Sequence, residues 1–152
     1  MIAKKSPLIL NNFFLLNHQY QFIQPTEVPN IVEITEQYPI EIDFAVQSVN
    51  DGFYQLFTKI GINNTDKPLP GYRLFIEGAC VFSFDISANL SDVDKSNLLH
   101  ISGINICINS LRNIIATITT NGLFGKYTLP AIDVNQLLAD KNEIIEKLAQ
   151  SK

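Results

Sequence analysis

INICINSLRNIIATITTNGLFGKYTLPAIDVNQLLADKNEIIEKL, residues Ile104 to Leu148, is the stretch whose reading decides the fold. Ile104, Cys107, Ile108, Leu111, Ile114, Ile115 and Ile118 recur at intervals of three and four, which lays one apolar stripe along a helix of about four turns. Gly122 supplies the residue without a Cβ that a helix C-terminus favours. Pro130 biases Leu129 toward an extended conformation, so 123–132 read as a short extended crossover. Asp133 can cap a second helix, with Gln136 three residues on to close a capping box. Along that helix Val134, Leu137, Leu138, Lys141, Ile145 and Leu148 share a face that is apolar except for Lys141.

Upstream of this helical half the pattern changes period. Residues 8–23 read as one long or bent strand, its apolar residues interrupted by Asn11, Asn12, Asn17 and His18, and Pro25 and Pro29 bound a loop. Ile40, Ile42, Phe44 and Val46 alternate with polar Glu41, Asp43 and Gln47, the period-two signature of a half-buried strand. Asn50-Asp51-Gly52 marks a hairpin, and 53–62 is the returning strand. A connection rich in Asn, Asp, Pro and Gly leads to a fourth strand over 72–86, where Gly78 marks a bulge or a close backbone approach. Residues 87–102 are polar and poorly periodic, and read as a loop with room for one helical turn. Strands first and helices afterwards predict an α+β fold: a four-stranded antiparallel sheet, a long helix and a C-terminal helix. Both faces of the third and fourth strands carry apolar residues, Tyr54, Leu56 and Ile60 against Phe53 and Phe57. One layer of helix cannot cover both, so another subunit or a ligand must take the remainder.

Composition narrows the functions available. The 152 residues make one domain the default, and 46% hydrophobic with 17% charged residues argues against disorder. A net charge of −4 lacks the clustered Lys and Arg that a phosphate track needs, so nucleic acid is not an expected partner. Cys80 and Cys107 form no C-x-x-C pair and read as buried reduced thiols. The segment Lys4-Lys5…Leu8-Ile9-Leu10…Phe13-Phe14-Leu15-Leu16 imitates a signal peptide, but Asn11 and Asn12 interrupt it and no small-x-small cleavage site follows. No run reaches the roughly 18 apolar residues of a membrane span, so the expectation is a cytoplasmic protein without membrane insertion.

Chemistry is absent from the sequence pattern. His18 and His100 lie far apart, and there is no H-E-x-x-H, nucleophile elbow or glycine-rich phosphate loop. Glu41 and Asp43 share a strand face, which a solvated sheet surface explains, and Asp92 and Asp94 fit helix-start or turn chemistry better than cation binding. The chain is therefore not read as an enzyme, and no cofactor or metal is expected.

The order Arg112…Gly122-Leu123-Phe124…Leu129-Pro130-Ala131-Ile132-Asp133-Val134…Leu137 resembles the C-terminal half of the SecB family. There an arginine-bearing long helix ends at a glycine, a phenylalanine follows, and an extended proline-containing crossover leads to the final helix. Tyr38-Pro39-Ile40-Glu41-Ile42-Asp43-Phe44 is similar to that family's second strand, Asp51-Gly52-Phe53-Tyr54-Gln55-Leu56 to the entry of its third, and Gly78-Ala79-Cys80-Val81-Phe82-Ser83 to the end of its fourth. The resemblance spans residues 8–140, and 1–152 is read as a single SecB-like domain.

The resemblance implies an ATP-independent holding chaperone that binds unfolded or precursor polypeptides through apolar grooves and takes part in protein export. It implies a homotetramer: sheets pair into dimers, and two dimers pack through their long helices. The client surface falls on Ile42, Phe44, Val46, Leu129, Ile132, Val134, Leu137 and Leu138. Phe44 and Leu129 are read as client contacts, Leu137 as packing of helix on sheet. The acidic positions that dock the export motor SecA fall on Gln19, Ile23, Arg73 and Phe75, none of them acidic, and the family's acidic tail is missing. A SecB-like chaperone dedicated to the antitoxin of a toxin–antitoxin pair is the alternative within the family. Outside it stand a structural or small-ligand-binding oligomeric α+β protein and an enzyme whose groups meet only in space.

Overall fold

The computed structural model describes residues 1–150. Its elements are β1 (Leu8–Ile23), α1 (Ile31–Glu36), β2 (Ile40–Ser48), β3 (Tyr54–Ile62), β4 (Gly71–Phe84), α2 (Asp92–Asn97), α3 (Ile104–Thr119) and α4 (Val134–Gln150). The strands form one antiparallel sheet in the order β1-β4-β3-β2, so the fold is α+β with the expected four strands. At the β2–β3 turn Asp51 and Gly52 both take positive φ, 68° and 77°, as the Asn-Asp-Gly signal requires.

Alternation along β3 and β4 sends Leu56, Ile60, Ile62, Tyr72, Leu74, Ile76, Cys80 and Phe82 to one face. There they meet Ile104, Cys107, Ile108, Leu111 and Ile115 of α3 in a continuous core. Gly78 lets the helix come close: a Cβ there would lie 2.9 Å from Leu111 Cδ2 and from the Phe13 ring. The bulges lie on the neighbouring strand instead. The β1–β4 register slips between Leu10 and Asn12 and again between Leu15 and Asn17, leaving Asn11 and Leu16 without a partner. Cys80 and Cys107 are both buried free thiols.

Three expectations need correction. The segment 87–102 is mostly helical. Ser91 caps α2 by accepting the Asp94 N–H at 3.2 Å, and the helix runs through a π-helical stretch, Leu98–Gly103, into α3. The whole is a 28-residue helix, Asp92–Thr119. The widened π turn shifts the apolar positions, so buried Leu99 and Gly103 fall out of step with the stripe that begins at Ile104. By length and composition this helix is apolar enough to cross a membrane. Here one apolar stripe packs on the sheet, with a third of the apolar window buried.

Gly122, in turn, is not in the left-handed region; only Gly52, Gly71 and Gly125 are among the described glycines. Its lack of a side chain is needed for space, since a Cβ would fall 2.3 Å from the Tyr72 hydroxyl. Asp133 does cap α4, accepting the Gln136 N–H at 3.1 Å, but the Gln136 side chain turns to Asp140 rather than closing the box.

Candidate functional site

The crossover between α3 and α4 is fixed to the body of the fold by three sets of hydrogen bonds. Arg112, on α3, donates from Nε to the Leu129 carbonyl at 3.0 Å and from Nη2 to the Pro130 carbonyl at 2.9 Å, and its Nη1 meets Asn109 Oδ1. The Tyr72 hydroxyl donates to the Gly125 carbonyl at 2.6 Å and accepts the Phe124 N–H at 3.2 Å. Thr119 Oγ1 accepts the Tyr127 N–H at 2.9 Å. An extended segment with few internal hydrogen bonds is thereby held in one course along the body.

Beside the crossover lies a cavity of about 470 Å³, lined among others by Ile31, Tyr38, Phe124, Tyr127 and Pro130. Phe124 packs edge-on against Phe22 at 5.2 Å, and Tyr38 lies 5.8 Å from Tyr127. Burial pushes the Tyr127 phenol up to about 12 and raises Tyr38 as well, so both rings are neutral at physiological pH. A second cavity, about 660 Å³, opens between β2 and α4. Consecutive residues Ile40 to Phe44 line it, so it follows the edge of the sheet, and Leu137, Lys141 and Ile144 form its far wall. Ile40 lines both cavities, so they adjoin at the start of β2.

Lys141 crosses this second cavity. Its ammonium lies 2.5 Å from Asp43 Oδ1 and 5.7 Å from the centre of the Phe44 ring. Asp43 also pairs with Lys59 at 3.4 Å and accepts the Phe44 N–H at 2.9 Å. Partial burial alone would raise the Asp43 carboxyl, but the hydrogen bonds and charge from Lys141, with Phe44 and Lys59, outweigh it and hold the group below the usual carboxylate range.

The eight residues expected at the client surface divide into two groups. Phe44, Leu129 and Val134 are core residues, 7%, 1% and 6% exposed. Ile42, Val46, Ile132, Leu137 and Leu138 are half-buried and pack around that core. Leu137, expected to be packing, lines the open cavity, whereas Leu129 is inside. Phe44 does both, lining the cavity floor while nearly all its surface is covered. Sequence reasoning missed Tyr38, Tyr127 and the structural work of Arg112. Phe124 and Arg112 were visible only as points of family resemblance; Tyr127 carried no periodic signal. Among the described residues no group of three His, Cys, Asp or Glu side chains is placed to hold a metal ion.

No protein-family model matches this chain, and no curated protein matches it in sequence. The fold is that of the SecB-like chaperones. The chain superposes on the SecB-like chaperone of Mycobacterium tuberculosis, solved in complex with a ChAD peptide from the HigA1 antitoxin, with a TM-score of 0.58 and 14% identity. The superposition covers 84% of this chain and 88% of that one. A protein of unknown function from Streptococcus agalactiae is more distantly similar, with a TM-score of 0.42 and 10% identity over 82% of this chain and 97% of that one.

Proposed function

We propose that this chain is a SecB-like holding chaperone that keeps unfolded polypeptide segments in the groove between the crossover, β2 and α4. The observation that carries the reading is the groove itself: an open channel in which Ile40, Ile42, Phe44, Leu137, Phe124 and Tyr127 give apolar and aromatic wall between charged rims that include Glu41, Asp43, Asp140 and Lys141, on a fold whose solved relative holds a peptide. Apolar walls bind side chains without regard to sequence, and several weak contacts along one unfolded chain sum to a useful affinity. Such binding needs no hydrolysis, so the chaperone works without ATP and without a catalytic residue. The purified protein is expected to suppress aggregation of a chemically unfolded, slowly refolding client with no nucleotide or metal added. Suppression that required ATP would refute this mechanism.

The chain acts, on this proposal, in the cytoplasm as a homotetramer. β1 is an edge strand with Ile9, Leu10, Phe14, Leu15, Leu16 and Tyr20 exposed, an apolar surface that a second copy would cover. An antitoxin-type client is favoured over hand-off to the export motor. Gln19 pairs with Phe75 and Gln21 with Arg73 at the corner where the motor's basic tail would need acidic groups, and Arg73 Nε is bonded to Asn64. Binding measured side by side to an antitoxin C-terminal segment and to the motor's tail separates the two; tight binding to the tail would restore the export role.

A further inference from the structure

The contact between α4 and the sheet is unlike the rest of the core. Val134 is the only buried residue of α4, and Leu137 and Leu138 are half-buried. Ile144, Ile145 and Leu148 are each more than half exposed. One turn beyond Leu137, Lys141 reaches the sheet through Asp43 and the Phe44 ring, and Ile144 lines the same cavity. Lys141 sits within an otherwise apolar stripe, at a position where a leucine would close the helix onto Phe44. A lysine there keeps the closure polar and therefore reversible.

We propose that the Lys141–Asp43 ion pair is a latch: it holds α4 across the groove while the groove is empty and gives way when a chain segment enters. The inference rests on the groove's being the client site. Opening is inexpensive because Asp43 is not left alone. Lys59 and the Phe44 N–H stay with the carboxylate when Lys141 departs, and the ammonium of Lys141, whose side chain is already 31% exposed, gains water. A partly exposed pair of this kind favours the closed state by a factor of about five at most. That is enough to hold α4 beside β2 while the groove is empty and too little to exclude a client.

The test uses the full chain and, as probe, a reduced and alkylated globular protein that stays unfolded. Lys141→Ala is expected to bind this probe about two- to fivefold more tightly than the wild type. The wild-type affinity is expected to rise with added salt, which screens the pair, and that rise is expected to be absent in Lys141→Ala. A double variant, Asp43→Cys with Lys141→Cys, bridged by a short bis-maleimide, is expected to lose binding while the unbridged form keeps it. Unchanged or weaker binding by Lys141→Ala, or full binding by the bridged form, overturns the latch. If neither wild type nor variants hold the unfolded probe, the chaperone reading itself fails, which is a different result.

Discussion

Arg112 on the long helix donates to the backbone carbonyl of Leu129 at 3.0 Å, tying the crossover to α3 through a main-chain atom while the Leu129 side chain packs in the core. A second bond from the same guanidinium to Pro130, at 2.9 Å, makes the hold two-pronged. The course of the groove wall therefore depends on Arg112 as well as on Tyr72, Thr119 and the burial of Tyr127 and Leu129.

Arg112→Ala is expected to lower stability by about 1–3 kcal/mol, the range for losing hydrogen bonds to a charged donor and leaving the part-buried Leu129 carbonyl unpaired. Client affinity should fall with it, because the crossover loses its fixed course. Urea unfolding and binding to an unfolded protein measure the two. A variant with unchanged affinity would show that the crossover holds its position through Tyr72 and Thr119 alone.

Phe44→Ala and Leu129→Ala should act mainly on stability, costing about 3–5 and 2–5 kcal/mol respectively, since both side chains are buried. Leu137→Ala should cost less, because its side chain is only half covered, and should weaken client binding more than Leu129→Ala does. Thermal unfolding and client affinity for the three variants decide this. The opposite order would return Leu129 to the groove surface.

Those assignments mark where sequence reasoning stopped. Period-two alternation placed Ile42, Phe44 and Val46 on one face of β2, and the register with Ile60, Thr58 and Leu56 agrees. Alternation gives the face but not what lies over it: Lys141 and α4 come from about a hundred positions later in the chain, and no local pattern reports their arrival. The helical stripe from Ile104 to Ile118 was legible because packing on a sheet demands it. The turn from Asp92 to Gly103 was not, because a π-helical stretch breaks the period by which helices are recognised. Gly122 was singled out correctly as a residue that must lack a side chain, for the wrong reason: the constraint comes from Tyr72, fifty positions upstream, and not from its own dihedral angles.

Acid sensitivity offers an independent check on the latch residues. The folded Asp43 carboxyl is held below its ordinary value, so its contribution to stability is present above the unfolded pKa of about 3.9 and is lost as pH falls through the lower folded value. The group is 45% exposed, so the contribution is expected to be at most about 1 kcal/mol. Asp43→Asn should therefore lose a little stability at neutral pH and converge on the wild type in acid. A difference that grows below pH 4 would contradict the assignment.

Assembly is tested at β1. Light scattering at micromolar concentration is expected to give a tetramer, and Phe14→Glu with Leu16→Glu to reduce it, since both side chains are about half exposed on an edge strand. A wild-type protein that stays monomeric would remove the proposed assembly and leave the β1 surface open.

Site-specific cross-linking tests the central claim most directly. A photoreactive residue is placed at Leu137 or Thr128, which line the two parts of the groove, and in a control at exposed Gln47, near the far end of β2 and lining neither part. With an unfolded protein present and no nucleotide, the account predicts cross-links to the client from Leu137 and Thr128 and few from Gln47. Cross-links mainly from Gln47, with the groove positions silent, would contradict it.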